Sequence, residues 1–466
     1  MQRTLSPVMV TAKIPGAPVH ARKPHPSPIA VARALASAFL ACDEWTPRAL
    51  IDAAAVVLGT RRRWLAPLVG DVMTAFNRPP TDSARQLAAL IGISPAFRRA
   101  IEVANKRCSA IALHHSALPP SLANRTGYPI PLVNTVADLA DLLELRIGQL
   151  EWFADTKNWN RRARPGDLHH YRYEWHQRPG RTPRLLEIPE QRLRRTQRKL
   201  LEEVIGLVPT HGAAHGFIPG RSATTGARQH TGSEVVIALD LTTFFANVTG
   251  RRIFALLRRS GFTEAVSYTI TGLATNAVPP AVLTMMPPGG RPEERFALRQ
   301  ALAANHLPQG SPSSPMLANL AVRQLDSRLA GWALCADASY TRYADDLAFS
   351  GGQALARRVD AFIRGVNRIV ESEGHSVNFT KTRVARQGVR QTVTAIVVNR
   401  QLNIPRSEYD RLKAIIHNCV VHGPHAQNRR SLPDFRAHLL GRISWVQNLN
   451  PPRATRLRED FLRIRW

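Results

Sequence analysis

Asp345 and Asp346 stand side by side at the centre of Tyr340-Thr341-Arg342-Tyr343-Ala344-Asp345-Asp346-Leu347-Ala348-Phe349-Ser350, between two β-like runs, as at the tip of a hairpin. Carboxylates that close repel, and one pKa should rise unless a cation neutralises the pair. Magnesium would do so, because hard divalent cations prefer oxygen ligands. A third carboxylate, Asp240, ends the run Val235-Val236-Ile237-Ala238-Leu239-Asp240. Asp is depleted in strands and costly to bury ionised, so its place at the end of a buried-strand run is informative. Three carboxylates on adjacent strands can hold two metal ions about 3.5–4 Å apart, the spacing that stabilises both oxygens of an in-line phosphoryl transfer. One ion lowers the pKa of the attacking hydroxyl and the other neutralises charge on the departing group. A lone Asp-Asp pair is most often a solvated turn, so the reading depends on the surrounding sequence.

The elements that must position these residues are mixed. Short β-like runs, Arg-Leu-Leu-Glu-Ile (184–188) and Glu-Val-Val-Ile-Ala-Leu-Asp-Leu (234–241), alternate with helices, which reads as α+β. Upstream, residues 1–28 are Pro- and Lys/Arg-rich without periodicity and read as a flexible basic tail. Residues 29–150 carry helical spacing, with Leu50, Ile51, Ala54, Val57 and Leu58 on one face and Val136, Leu139, Leu142, Leu143 and Ile147 on another. No catalytic cluster falls there, so this stretch reads as a helical N-terminal extension. Residues 28–42 imitate a signal-peptide core, but Arg33 interrupts the apolar run and a soluble helix is expected. No other stretch is long and apolar enough to span a membrane. After about residue 405 the pattern is helical again.

The chain has 63 Lys+Arg against 34 Asp+Glu, a formal charge of +29, which calls for a polyanionic partner. An acidic membrane surface or Arg-rich codon usage would also raise the charge. The basic residues are spread through apparently folded segments, which favours nucleic acid. Cys42, Cys108, Cys335 and Cys419 are far apart and form no paired motif, so neither a disulfide framework nor a zinc site is expected. They read as reduced thiols of a cytoplasmic protein.

Three boxes then fall in one order: the run ending in Asp240, Leu307-Pro308-Gln309-Gly310-Ser311-Pro312-Ser313-Ser314-Pro315, and Tyr343-Ala344-Asp345-Asp346. In type and separation they resemble reverse transcriptases, over roughly residues 140–466. The resemblance implies a right-hand polymerase, with fingers and palm around an antiparallel sheet over 151–400 and a helical thumb over 401–466. It is closer to bacterial retron enzymes. Ala213-Ala214-His215-Gly216-Phe217-Ile218-Pro219-Gly220-Arg221-Ser222 fits retron and group II intron enzymes alike, and the box beginning Leu307 fits retrons better. The positions of the retron NAxxH and VTG motifs read Gly226-Ala227-Arg228-Gln229-His230 and Val393-Thr394-Ala395, departing at Gly226 and Ala395.

The resemblance assigns roles. Asp240, Asp345 and Asp346, with Leu241 in the metal set, would bind two Mg²⁺ ions. Lys381, in Val377-Asn378-Phe379-Thr380-Lys381-Thr382, would protonate the leaving pyrophosphate, or is a surface lysine. Arg184 would grip the dNTP triphosphate with help from Arg178 and Arg181, or is an exposed hairpin arginine. Phe245 would exclude the 2′-OH of ribonucleotides, unless both Phe244 and Phe245 are core. Gln309 would touch the incoming nucleotide and Gly310 would admit the backbone; the alternative is a turn before a helix over 314–334, with Leu317, Ala321, Leu325 and Leu329 as its core stripe. Arg221, Tyr343 and Ala344 would border nucleic acid. The cluster from His169 to His176 either stacks on unpaired bases or is a half-buried strand; a metal site from His169, His170 and His176 lacks a second ligand set. The implied partners are dNTPs, a structured non-coding RNA serving as template and primer, its DNA product, and an effector protein. Priming from a 2′-OH would leave a branched RNA–DNA hybrid, msDNA, in anti-phage defence. A group II intron-like enzyme and a non-catalytic RNA-binding scaffold are the rival readings.

Overall fold

The computed structural model describes residues 26–42, 44–80, 84–107, 109–114, 128–156, 159–162 and 169–466, with residues 85, 161, 162 and 178 described by backbone alone. Residues 1–25 of the expected basic tail lie outside the described residues. The chain divides into two units, Met1–Leu122 and Ala123–Trp466.

The first unit contains the helices Pro28–Leu40, Pro47–Leu58, Leu65–Ala75, Ala84–Ile93 and Pro95–Lys106. Pro begins three of them, at the position where its missing N–H costs nothing. Ser27 and Thr46 accept from the backbone N–H groups three residues on, which caps the first two. Leu35, Phe39, Leu50, Leu65, Leu68, Leu87 and Ile91 are fully buried in a core of this unit's own. The segment that imitates a signal peptide is therefore a core helix. No described helix is long and apolar enough to cross a membrane.

The second unit is built on a four-stranded antiparallel sheet in the order β4-β5-β3-β6, with β3 Val235–Asp240, β4 Ala338–Tyr343, β5 Asp346–Gly351 and β6 Arg383–Arg386. Alternation along β3 sends Val235, Ile237 and Leu239 into the main core, while Val236 joins Ala348 in a second core under the C-terminal helices. A strand covered on both faces reads as a continuous apolar run, which is why this one stands out in the sequence. A separate hairpin pairs β1 (Tyr171–Arg178) with β2 (Arg181–Pro189).

Two expectations change. Leu139, Leu143, Leu150 and Phe153, on helices Val136–Leu142 and Ile147–Ala154 and the turn between them, are buried in the main core of the second unit. They thus pack with the sheet, not with the five helices upstream. The helix expected over 314–334 is two, Ser314–Ala321 and Arg323–Cys335, broken at Val322. Its stripe survives the break, with Leu317, Leu325 and Leu329 almost wholly buried. Residues Arg406–His422, Phe435–Leu449 and Pro451–Leu462 form the C-terminal helices.

Candidate active site

The sheet register brings the three aspartates to one end. Asp240, the last residue of β3, pairs with Asp346, the first of β5, and Tyr343 of β4 pairs with Asp346 from the other side. Only Ala344 and Asp345 make the turn between β4 and β5. Ala344 takes a left-handed φ of 54° there, and the Leu241 N–H donates to the Asp345 carbonyl at 2.9 Å. Lys381 Nζ lies 2.7 Å from Asp240 Oδ1, on a segment anchored where the Asn378 N–H donates to the Asp240 carbonyl.

The electrostatics follow from this crowding. Desolvation and then the Asp240 charge raise the Asp345 carboxyl pKa, against smaller opposing effects of Lys381 and Arg184. Asp346 is pushed up to about 6 by desolvation, then by Asp345 and Asp240. Its side chain reaches solvent at the cleft mouth, yet enough protein surrounds the carboxyl to penalise its charge. Among the described residues, no three His, Cys, Asp or Glu side chains are gathered so as to hold a metal ion. The three aspartates meet at one end of the sheet and offer only oxygen atoms, the donor type that hard divalent cations prefer. The ammonium on Asp240 shows that this carboxylate accepts a cation from the cleft side. A cleft of about 310 Å³ opens here, lined by Asp240, Asp346, Lys381, Tyr343 and Arg181.

A buried platform holds the Ala344 turn. Arg342, fully buried, donates from Nε and Nη2 to the two carboxylate oxygens of Asp326 at 2.8 and 2.7 Å. Its Nη1 donates to the Ala344 carbonyl at 3.0 Å and to Asn319 Oδ1 at 2.8 Å. Asn319 in turn donates to the Gly216 carbonyl, and the Tyr340 hydroxyl to Asp326. His230 lies on the sheet, its two ring nitrogens 2.8 Å from Ser350 Oγ and 2.7 Å from Thr341 Oγ1, so it ties β5 to β4.

The remaining candidates separate. Arg184 is exposed on β2, and its charge is felt at Asp345; Arg181 lines the cleft. The side chain of Arg178 lies outside the described residues. Phe244 is core, whereas Phe245, with its ring 5.4 Å away, is only half-buried. The Gln309 carbonyl accepts from the Glu187 N–H at 2.9 Å. Gly310 has φ 140°, and a Cβ there would lie 2.6 Å from the Glu187 carbonyl oxygen, so the position requires glycine. Arg221 spends Nη1 on the carbonyls of His211, Gly212 and Ala214, clamping its own loop. Tyr343 packs beside Phe217 with ring centroids 5.8 Å apart. Gly226 and Ala395, the two motif departures, line the same cleft as Asp240.

The cluster from His169 to His176 is built as a half-buried strand and the residues leading into it. Tyr171 is buried with its hydroxyl accepting from Gln197, and Trp175 Nε1 donates to the Val282 carbonyl. His170 is buried edge-on against Trp152, while His176 is exposed. Sequence reasoning did not single out Glu187, His306, Arg342 or Asp326 as site residues. Glu187 and His306 are 1% exposed and 2.8 Å apart. Burial opposes the charge on His306, but Glu187 outweighs it and the imidazole pKa is raised. A Glu inside the strand Arg181–Pro189 was the available signal.

The profile of the family described as "Reverse transcriptase (RNA-dependent DNA polymerase)" matches residues 177–410, which defines the class as an RNA-directed DNA polymerase of palm, fingers and thumb. Retron Mx65 reverse transcriptase of Myxococcus xanthus is 37% identical over 350 residues, 73% of this chain and 74% of its own length. Retron Mx162 reverse transcriptase of the same organism is 38% identical over 294 residues, 60% of this chain and 58% of its own. Retron Ec86 reverse transcriptase of Escherichia coli is 26% identical over 292 residues, 62% and 79% of the two chains. The chain belongs to the retron reverse transcriptases. Enzymes with this domain generally use divalent metal ions.

Proposed function

We propose that this polymerase copies a structured non-coding RNA of a retron, starting from a 2′-hydroxyl within that RNA, and that Asp240, Asp345 and Asp346, with Leu241, hold two Mg²⁺ ions where nucleotides are added. The observation that carries the reading is the Asp240–Asp346 register with Asp345 beside it, two of the three carboxyls having raised pKa values. Ions bound there would neutralise charge and favour ionisation of the attacking hydroxyl.

The chain's own residues do the rest. Arg184 holds the triphosphate, with Arg181 and Arg178 as helpers, because a guanidinium fork matches phosphate oxygens. Phe245, the accessible member of the Phe pair, closes the space a 2′-OH would need. Gln309 contacts the nucleotide, and Gly310 lets backbone approach it. Lys381 delivers a proton to the leaving pyrophosphate from its place at Asp240. Tyr343, Ala344 and the loop clamped by Arg221 border the nucleic-acid strand. The helices of 401–466 serve as the thumb, and the first unit with its basic tail as an accessory element. The product is a branched RNA–DNA hybrid, msDNA, that remains bound and acts with an effector protein in anti-phage defence in the cytoplasm.

Two assays test this. Purified wild type should extend a primed RNA template with dNTPs and Mg²⁺, and Asp345→Asn/Asp346→Asn should not. Expressed with its flanking non-coding DNA, wild type alone should yield a short DNA covalently linked to RNA. Extension without RNA-linked DNA removes the 2′-primed reading. Absence of both leaves the RNA-binding scaffold.

A further inference from the structure

The strand carrying Arg184, the turn carrying Phe245 and the loop carrying Gln309 come from distant parts of the chain, yet all three lead to one buried pair. Glu187 lies three residues after Arg184 on β2. Its N–H donates to the Gln309 carbonyl at 2.9 Å, and its own carbonyl backs directly onto Gly310. Its carboxylate accepts from His306 Nε2 at 2.8 Å and from Asn276 Nδ2 at 2.7 Å. His306 stands three residues before Gln309. Its backbone N–H and carbonyl exchange bonds with Asn276 at 3.0 and 2.9 Å. On either side of it, the Leu307 N–H donates to the Val248 carbonyl and the Gly250 N–H to the Asn305 carbonyl, which fastens the end of the Phe245 turn.

Both ring nitrogens of His306 face acceptors, since Nδ1 lies 2.8 Å from the Ala304 carbonyl and Nε2 faces Glu187. Nδ1 therefore donates to that carbonyl, and one proton joins Nε2 to the Glu187 carboxyl, with both side chains out of contact with water. Such a pair is a poor way to gain stability, because apolar side chains of the same volume would serve as well or better. What it supplies is geometry: its bonds hold in one arrangement only.

We propose that Glu187 and His306 are positioning residues, whose buried pair fixes β2, the Phe245 turn and the Gln309–Gly310 loop relative to one another and thereby sets nucleotide affinity and sugar discrimination. This rests on the reading of Arg184, Phe245 and Gln309 as nucleotide contacts. Even a small misplacement of such groups, caused by a change away from the chemistry, costs reaction steeply.

The test uses the full chain on a primed RNA template, with steady-state titrations of dNTP and rNTP and a separate measurement of template affinity. Gln309→Ala and Phe245→Ala are the reference variants; if they leave dNTP KM and discrimination at wild-type values, the nucleotide-site reading fails independently of the pair. With those references responding, Glu187→Gln is expected to raise dNTP KM about tenfold and narrow dNTP-over-rNTP discrimination. Its kcat should stay within about threefold, and its template Kd should not change. Glu187→Gln/His306→Gln, in which two amides can bond without charge, is expected to recover part of the KM. Wild-type KM and discrimination in Glu187→Gln overturn the proposal. So does a parallel loss of kcat, KM and template affinity, the mark of general damage. If Glu187→Gln fails to fold, His306→Gln is read by the same criteria. If both fail to fold, the pair is a folding element and the positioning role is wrong.

Discussion

At the scale of single residues, proton binding reports what each side chain faces. Asp346 titrates at about 6 instead of its ordinary 3.8 because ionisation costs desolvation and adds charge beside Asp345 and Asp240. A raised acid contributes stability in its protonated form, so that contribution is present below about pH 4 and is lost as pH rises through 6. A cation relieves the repulsion only where the carboxyls are ionised. Mg²⁺ is therefore expected to raise Tm more at pH 7.5 than at pH 5, and Asp346→Asn to shrink the difference; equal Tm shifts at both pH values would contradict the assignment. His230 behaves oppositely. Burial depresses it to about 4, so its contribution is full above 6.5 and is lost as pH falls through 6.5 towards 4. The expected loss is about 2 kcal/mol by pH 5, read by urea denaturation. His375 is also depressed to about 4 by burial, and burial lowers His170 and His215 too, so His230→Asn should reduce the acid slope rather than abolish it. The three aspartates were legible in the sequence because a carboxylate in a β-like run is an anomaly wherever it occurs. Glu187 carries the same anomaly in the run 184–188, but its role was hidden because its partner His306 lies 119 residues away.

Among elements, the β4–β5 hairpin shows how a strained turn is held. Ala344 keeps a left-handed conformation because the Arg342 guanidinium grips its carbonyl, and that guanidinium is itself fixed by both oxygens of Asp326. Asp326→Ala leaves a buried arginine without its counter-charge and is expected to cost about 3–5 kcal/mol in denaturant unfolding. A loss under about 1 kcal/mol would mean that water or a neighbour replaces the carboxylate. Gly310→Ala forces a Cβ against the Glu187 backbone, so polymerisation should fall while template binding persists. The strand ending in Asp240 and the Asp-Asp hairpin were readable from apolar runs and from the carboxylates that interrupt them. The break at Val322 was not, because the stripe Leu317, Leu325 and Leu329 stays buried across it. Nor was the allegiance of helices Val136–Leu142 and Ile147–Ala154: an amphipathic face states that it will be buried, not by which core.

The whole molecule carries its charge unevenly by function. In the proposed function the aspartates would need local negative potential to attract cations, while the net charge of +29 would draw in the nucleic acid. Residues 401–466 hold 12 Lys+Arg against 5 Asp+Glu, and their three helices bury Leu412, Ile416, Leu439, Ile443 and Leu457 in one core, which turns basic side chains such as Lys413 and Arg456 outward. Contacts of that kind act by releasing counterions from phosphates, so affinity should fall linearly in log K against log salt. Lys413→Glu and Arg456→Glu remove such contacts without touching the catalytic end of the sheet. Each is expected to weaken primed-RNA binding and to flatten the salt slope by about one unit. At saturating template, the rate of dNTP addition should stay near wild type. If the slope is unchanged, these helices do not face nucleic acid; if addition slows at saturation, they act on the reaction and not only on binding.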